Sequence, residues 1–254
     1  MDLKIRDKWL PENKYNIKSP RITEKTSITI HNTANSASAE NEANYMIRNN
    51  NQVSFHAVAD EKEIIRVIPF DRVSFHCGKR AGNDSSYSLE IARSTGSIYD
   101  FLKAEENAAI YTAMVLKQKG WGLDRVKTHK MWNGKNCPHK TLELGWKRFL
   151  KKVYKYLNDN GNENINVNKN AEIKNNSKGD FISMKWKNGR TSEIVYSDSR
   201  RTHKIGVINP HEEAVCIGEM DGSYIVEYIV DNTWNGENNN NKVGYVAYNG
   251  GVKL

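Results

Sequence analysis

The chain of 254 residues has no apolar run near the roughly 18 residues that a helical membrane span needs, so membrane insertion is not expected. It also lacks the unbroken apolar core of a secretory signal: its first ten residues, MDLKIRDKWL, mix charge with apolar side chains. The expectation is a chain made, at least initially, for the cytoplasm. Cysteine is scarce and odd in number. Cys77, Cys137 and Cys216 lie far apart, so a disulfide framework is not expected, and a metal ligand or reactive thiol has to be considered. Nor is there a recognisable nucleic-acid module, or a basic stripe interleaved with aromatics, so a formal net charge of +8 does not imply a nucleic-acid partner. At 38% hydrophobic and 27% charged, the composition is too apolar in patches for disorder.

The charge that is present is unevenly spread. Residues 1–157 hold 27 Lys plus Arg against 17 Asp plus Glu, and the remainder 11 against 13, a step from +10 to −2. At the step lies NDNGNENINVNKNAEIKNNSK, residues 158–178, in which 9 of 21 residues are Asn and apolar residues form no periodic face. Such a stretch cannot bury enough surface to offset its ordering entropy and reads as a linker between domains 1–157 and 179–254.

Before the linker, residues 27–30 (SITI), 54–59 (SFHAVA), 63–68 (EIIRVI) and 87–92 (YSLEIA) have strand length and composition. Residues 38–48, 103–119 and 144–157 carry helical spacing. The first has Ser36 or Ser38 as cap, the second stops at Gly120, and the third turns Leu150, Val153 and Leu157 inward and Lys147, Lys151 and Lys155 outward. Strands and helices in this order predict an α/β fold, a mixed central sheet with flanking helices. After the linker come short β-like runs at 192–196, 204–208, 214–217, 224–230 and 243–248. Asn188 with Gly189, Asn209 with Pro210, Asp221 with Gly222 and Asn235 with Gly236 mark turns between or beside them, a pattern that predicts a small all-β barrel.

The sharpest chemistry lies in THKMWNGKNCPH, residues 128–139, where His129 and Cys137 stand eight apart across a turn at Asn133 and Gly134. Imidazole and thiolate suit zinc, and a third ligand must come from elsewhere. His31 ends an apolar strand whose alternation sends Ile28 and Ile30 to one face and Thr29 and His31 to the other. The same alternation separates Glu90 from Leu89 and Ile91, and a carboxylate in such a run needs a partner, a metal-bound water or solvent. With Glu90 on the face of His31, the parts of a hydrolytic zinc site are present: three ligands, a proton carrier, and Lys135 near a developing oxyanion.

These residues resemble, in order, the type 2 N-acetylmuramoyl-L-alanine amidases of the peptidoglycan-recognition-protein fold, many of which are phage endolysins. TIHNTA, VSFHAVAD, FHCG at residues 75–78, N-x4-S-L-E-I at 83–91 and H-x7-C-P follow the family's order over about residues 20–157. The resemblance implies zinc held by His31, His129 and Cys137, catalytic roles for Glu90 and Lys135, and a substrate groove lined by motifs that contain His76 and Asn83. Some phage members place a catalytic Tyr where this chain has Phe55, and those members tend to lack the carboxylate found here at Glu90. Glu90 is therefore the expected proton carrier. The second domain resembles the bacterial Src-homology-3-type wall-binding domains that follow endolysin catalytic domains. The implied partners are bacterial peptidoglycan and anionic wall polymers, reached after release from the cytoplasm.

Blander readings stand beside these. His56, His139, His203 and His211 are expected as satisfied polar residues, Cys77 and Cys216 as inert core residues, and the basic face of the last helix as solvated. A closed structural zinc site with His139 as fourth ligand, and an ion pair of Glu90 with Arg93 or Lys135, are the rival accounts of the cluster. A catalytically silent peptidoglycan receptor on the same fold is the rival function, against which Cys137 argues, because receptor members usually lose that ligand.

Overall fold

The structure, a computed structural model, describes residues 3–158, 184–197, 200–220, 223–230, 240–247 and 251–253. Residues 159–178 of the expected linker, and the turn pairs Asp221 with Gly222 and Asn235 with Gly236, lie outside the described residues.

In chain order the first part comprises β1 (Ile5–Asp7), α1 (Tyr15–Lys18), β2 (Ser27–Asn32), α2 (Ala39–Arg48), β3 (Ala57–Ala59), β4 (Ile64–Arg66), α3 (Arg80–Ser85), β5 (Ser86–Ile91), α4 (Ile98–Lys119), β6 (Val126–Thr128), α5 (His129–Asn133), α6 (His139–Glu143) and α7 (Trp146–Asn158). The strands form one mixed sheet in the order β1-β4-β3-β5-β2-β6, with β3 and β4 antiparallel and the other pairs parallel. Every residue of β2 is buried, as expected of a parallel strand covered on both faces.

One face packs on α4 and α7. Ile28, Ile30, Leu89 and Ile91 meet Phe101, Ala108, Leu116, Phe149 and Val153 in one apolar cluster. The inward residues of α7 are Phe149 and Val153, with Leu150 and Leu157 only partly buried. The other face carries α2, whose Ala39, Ala43 and Met46 pack with Val58, Ile65 and Phe55. Helices α2 and α4 are capped by serine: Ser38 accepts from Asn41 N–H at 3.3 Å and Ser97 from Asp100 N–H at 3.5 Å. Gly120 closes α4 in the left-handed conformation, φ 65°.

The strand expected over residues 54–59 shortens to β3 because a side chain enters the ladder. The Ser88 N–H donates to His56 Nδ1 at 2.9 Å, and His56 Nε2 donates to the Arg72 carbonyl at 2.8 Å. His56 is thus a satisfied buried polar residue. The basic face of α7 is less solvated than expected. Arg148 reaches the fully buried Glu105 of α4 at 2.5 Å, and Lys152 lies 2.6 Å from Glu106.

The second part is an antiparallel sheet of seven strands: β7 (Met184–Asn188), β8 (Glu193–Tyr196), β9 (Lys204–Ile208), β10 (Glu213–Met220), β11 (Ser223–Val230), β12 (Asn240–Ala247) and β13 (Gly251–Lys253), in the order β13-β7-β10-β11-β12-β8-β9. Its own core gathers Val195, Ile208, Ala214, Cys216, Val226, Tyr228 and Val246. Among the described residues, no helix is long and apolar enough to cross a membrane.

Candidate active site

The site is built on the sheet face that carries α2 and α5. In the parallel register of β2 and β5, His31 lies opposite Glu90 and Thr29 opposite Ser88. Side chains at partnered positions share a face, so an imidazole and a carboxylate project side by side. Alternation places the apolar Ile30 and Leu89 beneath them in the core.

The other two members arrive on the segment after β6. Thr128 caps α5 by accepting from Met131 N–H at 3.2 Å, which makes His129 the first helical residue at the end of the sheet. The helix is pinned by Trp132 Nε1 donating to Thr29 Oγ1 at 2.9 Å and by Asn133 Nδ2 donating to the Cys77 carbonyl at 2.9 Å. Gly134, with φ 83°, then reverses the chain in a conformation that favours glycine. Lys130 N–H donates to the Cys137 carbonyl at 2.9 Å, tying the two arms of the turn together. Asn32, next to His31, accepts from the N–H groups of Lys140 and Thr141 at 2.8 and 3.0 Å and so docks the start of α6 beside Cys137.

The result is a buried trio. The ligand atoms of His31, His129 and Cys137 all lie within 4.8 Å of one another. His31 Nδ1 is 3.1 Å from His129 Nδ1 and 3.7 Å from Cys137 Sγ. A tetrahedral zinc with Zn–N near 2.0–2.1 Å and Zn–S near 2.3 Å would separate two nitrogens by about 3.3 Å, and nitrogen from sulfur by about 3.6 Å. The donor set and these two edges fit the ion. His139 is not part of the group, so the closed site with His139 as fourth ligand is not formed among the described residues.

Burial sets the electrostatics. It holds the imidazoles of His31 and His129 below their ordinary range, with the Lys135 charge adding to the effect on both. Burial also pushes the Cys137 thiol up to about 11, and the Glu90 carboxylate adds to that rise. Glu90 itself is pushed up to about 8, first by burial and then by the carboxylate of Glu42, with Lys135 opposing. Its Oε2 is buried without a hydrogen-bond partner among the described residues. A buried carboxylate oxygen left unpaired is costly, and such groups cluster where chemistry is done. The rival reading, an ion pair with Arg93, fails because Arg93 is engaged by Glu61 through two hydrogen bonds of 2.8 Å. Lys135 is exposed at the rim, and its charge reaches Glu90 and the trio.

His76 and Asn83 are placed below the trio, each only 9% exposed, and not on an open wall. Asn83 Oδ1 accepts from the N–H groups of His76 and Cys77, both at 3.0 Å, and His76 Nδ1 lies 2.9 Å from His31 Nε2. Cys77 is buried beside them, its thiol pushed up by burial, and Cys216 sits in the core of the second sheet. Phe55 packs among the apolar side chains under α2. Sequence reasoning missed Asn32, Thr128 and Trp132 as supports of the site. Asn32 and Thr128 each adjoin a candidate ligand, a signal that was available; the Trp132 contact to Thr29 spans 103 residues and left none.

Residues 23–140 match a family model described as N-acetylmuramoyl-L-alanine amidase. The N-acetylmuramoyl-L-alanine amidase XlyB of Bacillus subtilis (strain 168) is 40% identical over 162 residues, 62% of this chain and 51% of that protein. The chain thus spans about half the length of this curated relative. The solved structure of PlyL is 41% identical, covering 60% of this chain and 97% of that one with a TM-score of 0.57. The solution structure of the PlyG catalytic domain is 39% identical over 61% of this chain and 96% of that one, with a TM-score of 0.59.

Proposed function

The chain belongs to the N-acetylmuramoyl-L-alanine amidase family through residues 23–140, and from that premise we propose that it hydrolyses the amide between N-acetylmuramic acid and L-alanine in bacterial peptidoglycan. The observation that carries the reading is the meeting of His31, His129 and Cys137 within 4.8 Å, beside Glu90, one of whose carboxylate oxygens has no partner among the described residues.

A zinc ion held by His31, His129 and Cys137 supplies Lewis acidity toward the scissile carbonyl and toward water. Glu90, which stands beside His31 in the register of β2 and β5, takes the proton of the attacking water and returns it to the departing L-alanine nitrogen. Lys135 faces the negative charge that develops on the carbonyl oxygen. The products are the lactyl carboxylate of the sugar and a free amino terminus on the stem peptide. Phe55 offers no hydroxyl for proton transfer, which supports Glu90 in that role. Retention of Cys137 in the trio supports an enzyme over a silent receptor. The seven-stranded second sheet supports a bacterial Src-homology-3-like domain that holds the enzyme on the wall, and the whole supports an endolysin of phage or prophage type.

Digestion of purified walls tests the reaction. New L-alanine amino ends should appear without new reducing sugar ends, and a chelator should abolish them. Reducing ends, or activity indifferent to the chelator, would sink the proposal.

A further inference from the structure

Below the trio, the structure holds a chain of polar contacts that ends on His31. The Gly82 carbonyl lies 3.3 Å from His76 Nε2, and His76 Nδ1 lies 2.9 Å from His31 Nε2. The two rings meet edge to face, their planes at 90° and centroids 5.0 Å apart. A carbonyl only accepts, so His76 carries its proton on Nε2 and presents a lone pair at Nδ1. That lone pair requires a proton on His31 Nε2, which leaves the lone pair of His31 on Nδ1, the atom facing His129 and Cys137.

The surroundings hold this chain in place. Asn83 Oδ1 accepts from the backbone N–H of both His76 and Cys77 at 3.0 Å, fixing the segment from which His76 projects. Residue 82 must be glycine for its carbonyl to stand where it does. A Cβ there would come within 2.5 Å of Cys77 Sγ and 2.7 Å of the Trp132 ring. His76 is 9% exposed, which suits a buried support better than a contact with substrate.

We propose that His76 is a positioning residue that sets the tautomer and ring orientation of His31, so that Nδ1 is ready to bind the metal. The proposal rests on the metal reading of the trio. It reassigns His76 from the groove wall suggested by its motif to the layer behind the ligands, where such partners govern metal affinity.

The full-length chain serves for the test, with zinc affinity measured by competition against a chromophoric chelator and His31 protonation read by nitrogen NMR. In the metal-free wild type the proton should lie on His31 Nε2. His76→Leu should weaken zinc binding about 10- to 100-fold, while His76→Asn, which puts an acceptor oxygen near the place of Nδ1, should stay within about threefold of wild type. Thermal melting of each variant separates this loss from unfolding, and the cobalt-substituted spectrum should change in His76→Leu and revert in His76→Asn. A wild-type proton on His31 Nδ1, or equal zinc affinity in wild type and His76→Leu, would overturn the proposal while leaving the zinc site standing. Failure of the wild type to bind zinc would overturn the metal reading, and the proposal with it.

Discussion

At Glu90 the fold places one carboxylate oxygen out of water with no partner among the described residues, a cost that the proposed role as proton carrier would account for. Glu90→Gln should therefore keep zinc and lose turnover by roughly 10²- to 10⁴-fold, whereas Cys137→Ser should lose zinc as well. Zinc content by mass spectrometry, beside wall hydrolysis, separates the two; undiminished hydrolysis in Glu90→Gln would return the proton to some other group. A second buried charge gives a test of stability alone. Burial pulls the Lys25 ammonium down to about 8, although Thr23 Oγ1 and the Asp84 carbonyl accept from it at 2.6 and 2.9 Å. Between pH 8 and the ordinary lysine value of 10.5, the unfolded chain binds more protons than the folded one, so stability rises with pH across that window. Below it the cost of charging Lys25 is present in full, about 3 kcal/mol at 1.4 kcal/mol per pKa unit. Lys25→Met should flatten that slope in urea titrations at successive pH values, and an unchanged slope would discount the buried ammonium. His31, Glu90, His129 and Cys137 were legible because strand alternation and the H-x7-C spacing are local patterns that survive in one dimension. The place of His76 was not, because it depends on which nitrogen meets which carbonyl across 45 residues.

Legibility of the elements follows the same division. α2, α4 and α7 announce themselves through helical spacing and through Ser38 and Gly120 at their ends, but the first turn of α4, from Ile98, lies outside the expected span. The strands β1 and β6 have three residues each, too few for a period to show, and they exist because β4 and β2 offer them unpaired edges. Helix α7 shows how a face that reads as solvated in sequence is recruited by a neighbour. Glu105 is fully buried in α4, and the Arg148 guanidinium, with Lys152 at 3.6 Å, supplies its counter-charge. Removing one partner leaves a buried charge uncompensated, so Arg148→Ala should cost about 3–5 kcal/mol and lower the melting temperature by roughly 10 °C. The double variant Glu105→Leu with Arg148→Leu should recover most of that loss, because two apolar side chains replace the pair without leaving a charge behind. Calorimetry of the two proteins checks this, and equal melting temperatures for Arg148→Ala and the wild type would show that Lys152 alone suffices.

Across the whole molecule, the formal charge of +8 divides into +10 on residues 1–157 and −2 on the rest. The division falls between two separate sheets, one built around the trio and the other with its own core and no ligand cluster among the described residues. Walls rich in anionic polymers would draw the basic half by long-range attraction, which acts over a Debye length of about 8 Å at physiological salt. A near-neutral second half would gain little from that field, and the wall-holding role proposed for it would have to rest on shape and specific contacts. Two substrates separate these contributions. On intact walls, the rate of lysis should fall roughly tenfold as sodium chloride rises from about 0.05 to 0.5 M, because the attraction between surfaces is screened. On a small, soluble, uncharged muropeptide amide the same change should leave turnover nearly constant, since the chemistry proposed at Glu90 and Lys135 would act over distances shorter than the screening length. A parallel decline on both substrates would locate the salt effect in the candidate site, and flat rates on both would remove the +10 surface from the proposed account of how the chain reaches the wall.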